Sequence, residues 1–99
     1  MSKIIFEYHD VTASDSLEAY TTDRLNKLFE RNDFVIRADV FFKTENTATA
    51  NMVASIRLSA PGPRLFAEAA HDNFRSAVTE CVDELQRQLA KRKESLKTY

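Results

Sequence analysis

Along this chain the period of the apolar residues changes several times, and each change marks an element. Residues 3–9 place Ile4, Phe6 and Tyr8 on one side, the period of two of a strand with one face on a core. The polar run 12–16 then opens a helix, with Ser14 as N-cap and Asp15 and Glu18 near the positive end of its dipole. That helix is predicted from residue 15 to about residue 30. Leu17, Thr21, Leu25, Leu28 and Phe29 share its core-facing stripe. Asn32 stands as a left-handed cap in place of glycine.

A second strand is predicted over 34–43, with Ile36, Ala38, Val40 and Phe42 facing one way. After a polar turn a third follows over 49–59, with Ala50, Met52, Ala54, Ile56 and Leu58 inward. Pro61-Gly62-Pro63 is the strongest break and holds both prolines and the single glycine. A fourth strand over 64–70 faces Leu65, Ala67 and Ala69 inward. Asp72 is the expected N-cap of a long second helix whose stripe is Phe74, Ala77, Val78, Cys81, Val82, Leu85 and Leu89.

The order is therefore β-α-β-β-β-α. A right-handed crossover makes the first two strands parallel neighbours, and the short later connections make an antiparallel meander. The fold class is α+β: a two-layer sandwich, a four-stranded mixed sheet with two helices on one face. Residues 1–99 form one domain. The sheet leaves its other face open, with Phe41, Val53 and Phe66 expected on it.

Charge adds a second level. Net charge is −1, but residues 1–85 hold 9 Lys/Arg against 14 Asp/Glu, and residues 86–99 hold 5 against 1. A seven-residue strand spans about 23 Å, whereas a helix over 73–97 spans about 37 Å. The last turns should thus outrun the sheet, and Arg92, on the extension of the apolar stripe, is expected there because the helix has left the core. The segment from about residue 86 to 99 reads as a basic helical extension able to meet a phosphate backbone while the rest stays acidic. A Lys/Arg-rich helix end favoured by the macrodipole reads equally from the same residues. On the first helix, Tyr20, Arg24, Lys27 and Arg31 follow at spacings of 4, 3 and 4 and share an outward face. That row is either an ordinary solvated face or a phosphate-contacting strip headed by a stacking ring.

Candidate chemistry narrows the picture further. One glycine builds neither a P-loop nor a dinucleotide fingerprint. His9, His71 and Cys81 lack metal-ligand spacing, so no metal or cofactor is expected. Glu68, His71 and Asp72 fall at a strand end and helix start, where capping accounts for them. Cys81 within the stripe is a small buried hydrophobe and implies a reducing compartment. No stretch reaches the roughly 20 apolar residues of a membrane span, and a soluble cytoplasmic binding protein, not an enzyme, is expected.

The second helix carries Asp72-Asn73-Phe74-Arg75-Ser76-Ala77-Val78 and Leu85-Gln86-Arg87-Gln88-Leu89-Ala90-Lys91-Arg92-Lys93; the first carries Asp23-Arg24-Leu25-Asn26-Lys27-Leu28. In these stretches, over nearly its whole length, the chain resembles the ribosome hibernation-promoting factors, or ribosome-associated translation inhibitors. The first two look like the family's Asp-Met-Tyr-x-Ala-Ile-Asp and Lys-Leu-x-Arg-Gln-Leu-x-Lys-x-Lys runs. The resemblance implies binding in the decoding channel of the small ribosomal subunit, with translation silenced in stationary phase or stress. It places ribosomal RNA contacts on Arg24, Lys27, Arg87, Lys91 and Lys93; Tyr20, Arg31, Arg92 and Lys97 extend the same surfaces. The chain departs from the pattern at Asn73-Phe74, at Thr79 where the family has Asp, and at Glu84 where it has Lys. Without the second domain of the long family forms it is expected to be a monomer, and ribosome pairing would call for a separate dimerising protein. The contrasting expectation is a protein-interaction module or homodimer using the open sheet face.

Overall fold

The computed structural model describes residues 3–45 and 51–96. They form β1 (Lys3–His9), α1 (Asp15–Arg31), β2 (Arg37–Thr44), β3 (Met52–Ser59), β4 (Leu65–His71) and α2 (Phe74–Leu96). The sheet order is β1-β2-β3-β4. β1 runs parallel to β2, with Lys3 opposite Arg37 and His9 opposite Lys43, and the remaining ladders are antiparallel. This is the α+β sandwich that the periodicity predicts. The expected start of β3 at Thr49 and the inward Ala50 lie outside the described residues.

Both helices share one core with the sheet. Ala38, Val40 and Phe42 of β2, Ala54, Ile56 and Leu58 of β3, and Leu65, Ala67 and Ala69 of β4 meet Leu17, Leu25 and Leu28 of α1 and the α2 stripe. Phe42 is the hub: it packs against Phe6, Tyr8 and the edge of the Phe74 ring. Leu85 and Leu89 are fully buried, each contributing about 1.5–3 kcal/mol by burial, and this holds α2 down through its third turn and beyond. Cys81 is buried as well. Its thiol donates to the Ala54 carbonyl at 3.2 Å, and burial pushes it up to about 12, so it packs as a hydrophobe and does not act as a nucleophile.

Local chemistry corrects several expectations. Ser14 caps α1 as expected, accepting from the Leu17 N–H. Asn32 is not left-handed (φ −138°); its buried amide instead donates to the Leu28 carbonyl, and its N–H donates to Phe29. The chain then turns, with the Val35 N–H on the Asn32 carbonyl, so β2 starts only at Arg37. Val35 is buried and Ile36 is 66% exposed, the reverse of the predicted parity. At α2 the cap is Asn73 rather than Asp72: the Asn73 side-chain oxygen takes the Ser76 N–H at 2.8 Å, while Asp72 accepts from the Asn73 amide. Glu68, His71 and Asp72 do not converge, since Glu68 turns to Ser55 and His71 to Glu80.

The open face of the sheet is ionic rather than apolar. Asp39 is buried between Arg37 (2.9 Å) and Arg57 (3.4 Å). Burial works to raise its carboxyl, but the two guanidiniums outweigh that and hold it below the ordinary range. Arg57 also lies over the Phe41 ring. Lys43 reaches across β3 to Glu68, which accepts from Ser55, and Val53, opposite Lys43 in the ladder, is buried to 1%. Val53 is thus not the exposed residue that alternation predicts, and of the three expected apolar residues Phe66 alone is widely exposed.

Candidate nucleic-acid interface

The two helices lie side by side and point the same way, because Tyr20 of α1 meets Thr79 of α2 at one end and Arg31 meets Lys93 at the other. Each carries an apolar stripe into the core, so their remaining faces form one layer of surface on which the predicted basic residues can be placed.

On α1 the row is confirmed as a surface row. Lys27 and Arg31 are exposed, and Arg24 and Tyr20 are half-buried. Lys27 pairs with Asp23 one turn back at 3.5 Å, a contact worth at most a few tenths of a kcal/mol between exposed groups. The Arg24 guanidinium lies over the Tyr20 ring, 5.1 Å from its centroid, and a residue absent from the sequence expectations, Arg75 of α2, lies over the same ring at 5.3 Å. The Tyr20 hydroxyl is 2.8 Å from Thr79 Oγ1. Thr79 donates its own proton to the Arg75 carbonyl, so Tyr20 is the donor. Arg75 had one readable signal: a basic residue at the edge of the α2 stripe, one turn before Thr79.

On α2 the basic residues differ among themselves. Arg87 is exposed and paired with Glu84 at 2.9 Å. Glu84 accepts from Arg87 first and from Gln88 second, and both hold its carboxyl below the usual range. Gln88 also donates to the Phe66 carbonyl on β4. Glu84 is thereby explained as the acceptor that organises this turn. Lys91 is exposed. Arg92 is not a charge that has left the core: its guanidinium caps the β3–β4 turn, donating to Pro61 at 2.9 Å and Pro63 at 2.5 Å. Gly62, at φ +98°, forms that turn, and a Cβ there would sit 3.5 Å from the guanidinium. Lys93 donates to the Arg31 carbonyl at the end of α1, which suits a cation at a helix C-terminus. α2 is therefore tied to the domain as far as Lys93, further than strand length alone predicts. Lys97 lies outside the described residues.

Among the described residues no group of three His, Cys, Asp or Glu side chains gathers as a metal ion would require, and no helix is long and apolar enough to cross a membrane. What the surface offers is a set of cations on rigid helices, suited to holding phosphates without reading bases.

Relatives of known kind share this architecture. The chain is 27% identical over 104 residues to a ribosome hibernation promoting factor of Acinetobacter guillouiae, an alignment covering 98% of this chain and 92% of that one. A ribosomal subunit interface protein from Coxiella burnetii superposes with a TM-score of 0.83 at 21% identity, covering 93% of this chain and 98% of the other. The N-terminal domain of Thermus thermophilus Protein Y superposes at 0.74 and 22% identity, covering 92% and 98%; at these identities the two structures speak for the fold. Residues 4–97 match the model of the sigma 54 modulation protein / S30EA ribosomal protein family, and the chain belongs to that family.

Proposed function

We propose that this protein is a ribosome-binding hibernation factor: it occupies the decoding channel of the small subunit through contacts between basic helix residues and ribosomal RNA, and so inhibits translation. The reading is carried by the helix layer, where Arg24, Arg31, Arg75, Arg87 and Lys91 present cations on a chain of net charge −1, within a family whose members include a named hibernation factor. The physics is occlusion plus phosphate neutralisation, and no reaction is catalysed. Because the groups are guanidinium and ammonium, recognition is of backbone and shape. The protein acts in the cytoplasm, where ribosomes are, as a monomer.

Counterion release supplies the test. With five or six phosphate contacts, the logarithm of the binding constant should fall with the logarithm of salt at a slope of about −4 to −5. Ribosomes and isolated small and large subunits, sedimented with the protein across a salt series, should carry it down with the small subunit at low salt and release it at high salt. Messenger and transfer RNA bound beforehand should compete. Absence from the ribosomal pellet at low salt would refute ribosome binding; indifference to prior messenger and transfer RNA would refute the decoding channel.

A further inference from the structure

Tyr20 heads the basic row of α1, and the sequence offers its ring as a platform for a base or sugar. The structure gives the ring other occupants. Arg24 and Arg75, from different helices, both hold their guanidinium carbons within 5.3 Å of its centroid. The hydroxyl is engaged by Thr79, whose own proton is fixed on the Arg75 carbonyl, so ring and α2 backbone are tied by two consecutive hydrogen bonds. A guanidinium stacked on a tyrosine keeps its edge N–H donors free while losing rotational freedom.

Seven other cations among the described residues are engaged by the protein itself. Lys27, Arg37, Lys43, Arg57 and Arg87 each face a carboxylate, and Arg92 and Lys93 face carbonyl oxygens. Among the described residues neither Arg24 nor Arg75 has an ion-pair or hydrogen-bond acceptor. The nearby acids are engaged or unpaired with them: Asp23 faces Lys27 and Glu80 faces His71, while Asp83 lines the adjoining cleft of about 420 Å³ together with Tyr20, Arg75 and Arg87. Two like charges held over one ring without an acidic partner form an arrangement that an anion completes.

We propose that Arg24 and Arg75 form a two-guanidinium clamp for one phosphodiester group of the RNA backbone, and that Tyr20 is its positioning residue rather than a base-stacking platform. The clamp spans the boundary between α1 and α2, so one phosphate would bridge the two helices. This rests on the ribosome-binding reading above. Each guanidinium offers a fork of N–H donors to a non-bridging oxygen, and the ring restrains both side chains.

A double-mutant cycle on the full chain, read as ribosome affinity across a salt series, decides it. R24Q/R75Q should weaken binding at least roughly tenfold and flatten the salt slope by about one, the share of one phosphate. Y20L should weaken binding severalfold while leaving the slope unchanged, because both charges remain. In the R24Q/R75Q background, Y20L should then cost nothing further. A Tyr20→Leu cost that persists in that background would mean that the ring itself meets RNA, and the clamp would be wrong. Y20F keeps the ring and removes only the tie to Thr79; it should bind within about threefold of the parent, and if Y20L fails to melt cooperatively R24Q/R75Q alone decides the clamp. An unchanged affinity and slope in R24Q/R75Q, on ribosomes that the parent protein binds, would overturn the clamp and leave ribosome binding standing. Failure of the parent to bind would overturn both.

Discussion

Two regions of the helix layer invite comparison: the boundary around Tyr20, and the far end of α2 from Arg87 to Lys93. The second holds the denser basic run, yet Arg87, Arg92 and Lys93 all face acceptors of the protein itself. The first holds fewer cations, in Arg24 and Arg75, and among the described residues they have a ring and no acceptor. Charge density along a sequence and charge available to a partner are therefore different quantities. An ion pair between exposed groups is worth about 0–1 kcal/mol, so Arg87 can leave Glu84 at small cost. Arg92, bonded to two carbonyls of one turn, cannot leave without loosening that turn.

The sharpest way to break the comparison is to reverse charge in each region. R24E/R75E should weaken ribosome binding at least about a hundredfold, because both contacts to the bridging phosphate become repulsions. R87E/K91E should cost less, about tenfold, since Arg87 begins partly neutralised. Both variants should melt close to the parent. Equal losses would mean that the protein's own acceptors do not grade its cations, and the distinction between the regions would fall.

Stability measurements separate the regions from the other side. Arg92→Ala should lower the free energy of unfolding by about 1–2 kcal/mol, as hydrogen bonds from a charged group to the β3–β4 turn are lost. Ribosome affinity should stay within about twofold. Lys91→Ala should do the opposite, changing stability by less than about 0.5 kcal/mol and flattening the salt slope by about one. Urea unfolding and sedimentation on the same preparations read both. A stable Arg92→Ala protein that no longer binds would return Arg92 to the interface, where the sequence places it.

What could be read from the chain follows from this contrast. Element order, strand pairing and the shared core depend on periodicity and connection length, both local, and Phe42, Leu25 and Leu85 fall where those patterns put them. Of the two N-caps, Ser14 falls where expected and the second misses by a single residue: Asp72 and Asn73 are both competent, and only the path of the chain decides which oxygen reaches the Ser76 N–H. Alternation gave the side of the sheet on which Val53 lies but not its burial, nor the Lys43–Glu68 bridge on that face. The helical wheel placed Arg92 correctly, and its partners, the carbonyls of Pro61 and Pro63, lie about thirty residues upstream, beyond the reach of any helical periodicity. Arg75 was missed for the same reason, since its meaning depends on a ring from another helix.

Glu84 offers the smallest and most discriminating perturbation. Related chains are expected to carry lysine there, and in this chain the carboxylate accepts from Arg87 and Gln88. Glu84→Lys would remove an acid, add a cation and release Arg87, all without touching the core. If the far end of α2 meets RNA, the salt slope should steepen by about one, or by about two if the freed Arg87 joins, and affinity at moderate salt should rise about fivefold. Stability should change by less than about 0.5 kcal/mol, as expected for an exposed site. Combining the change with R24Q/R75Q then separates the regions: contacts made independently should add in free energy, whereas coupling through the cleft that Arg75 and Arg87 both line would appear as non-additivity. A slope that Glu84→Lys leaves unaltered would take the far end of α2 off the RNA and leave the boundary around Tyr20 as the surface that binds.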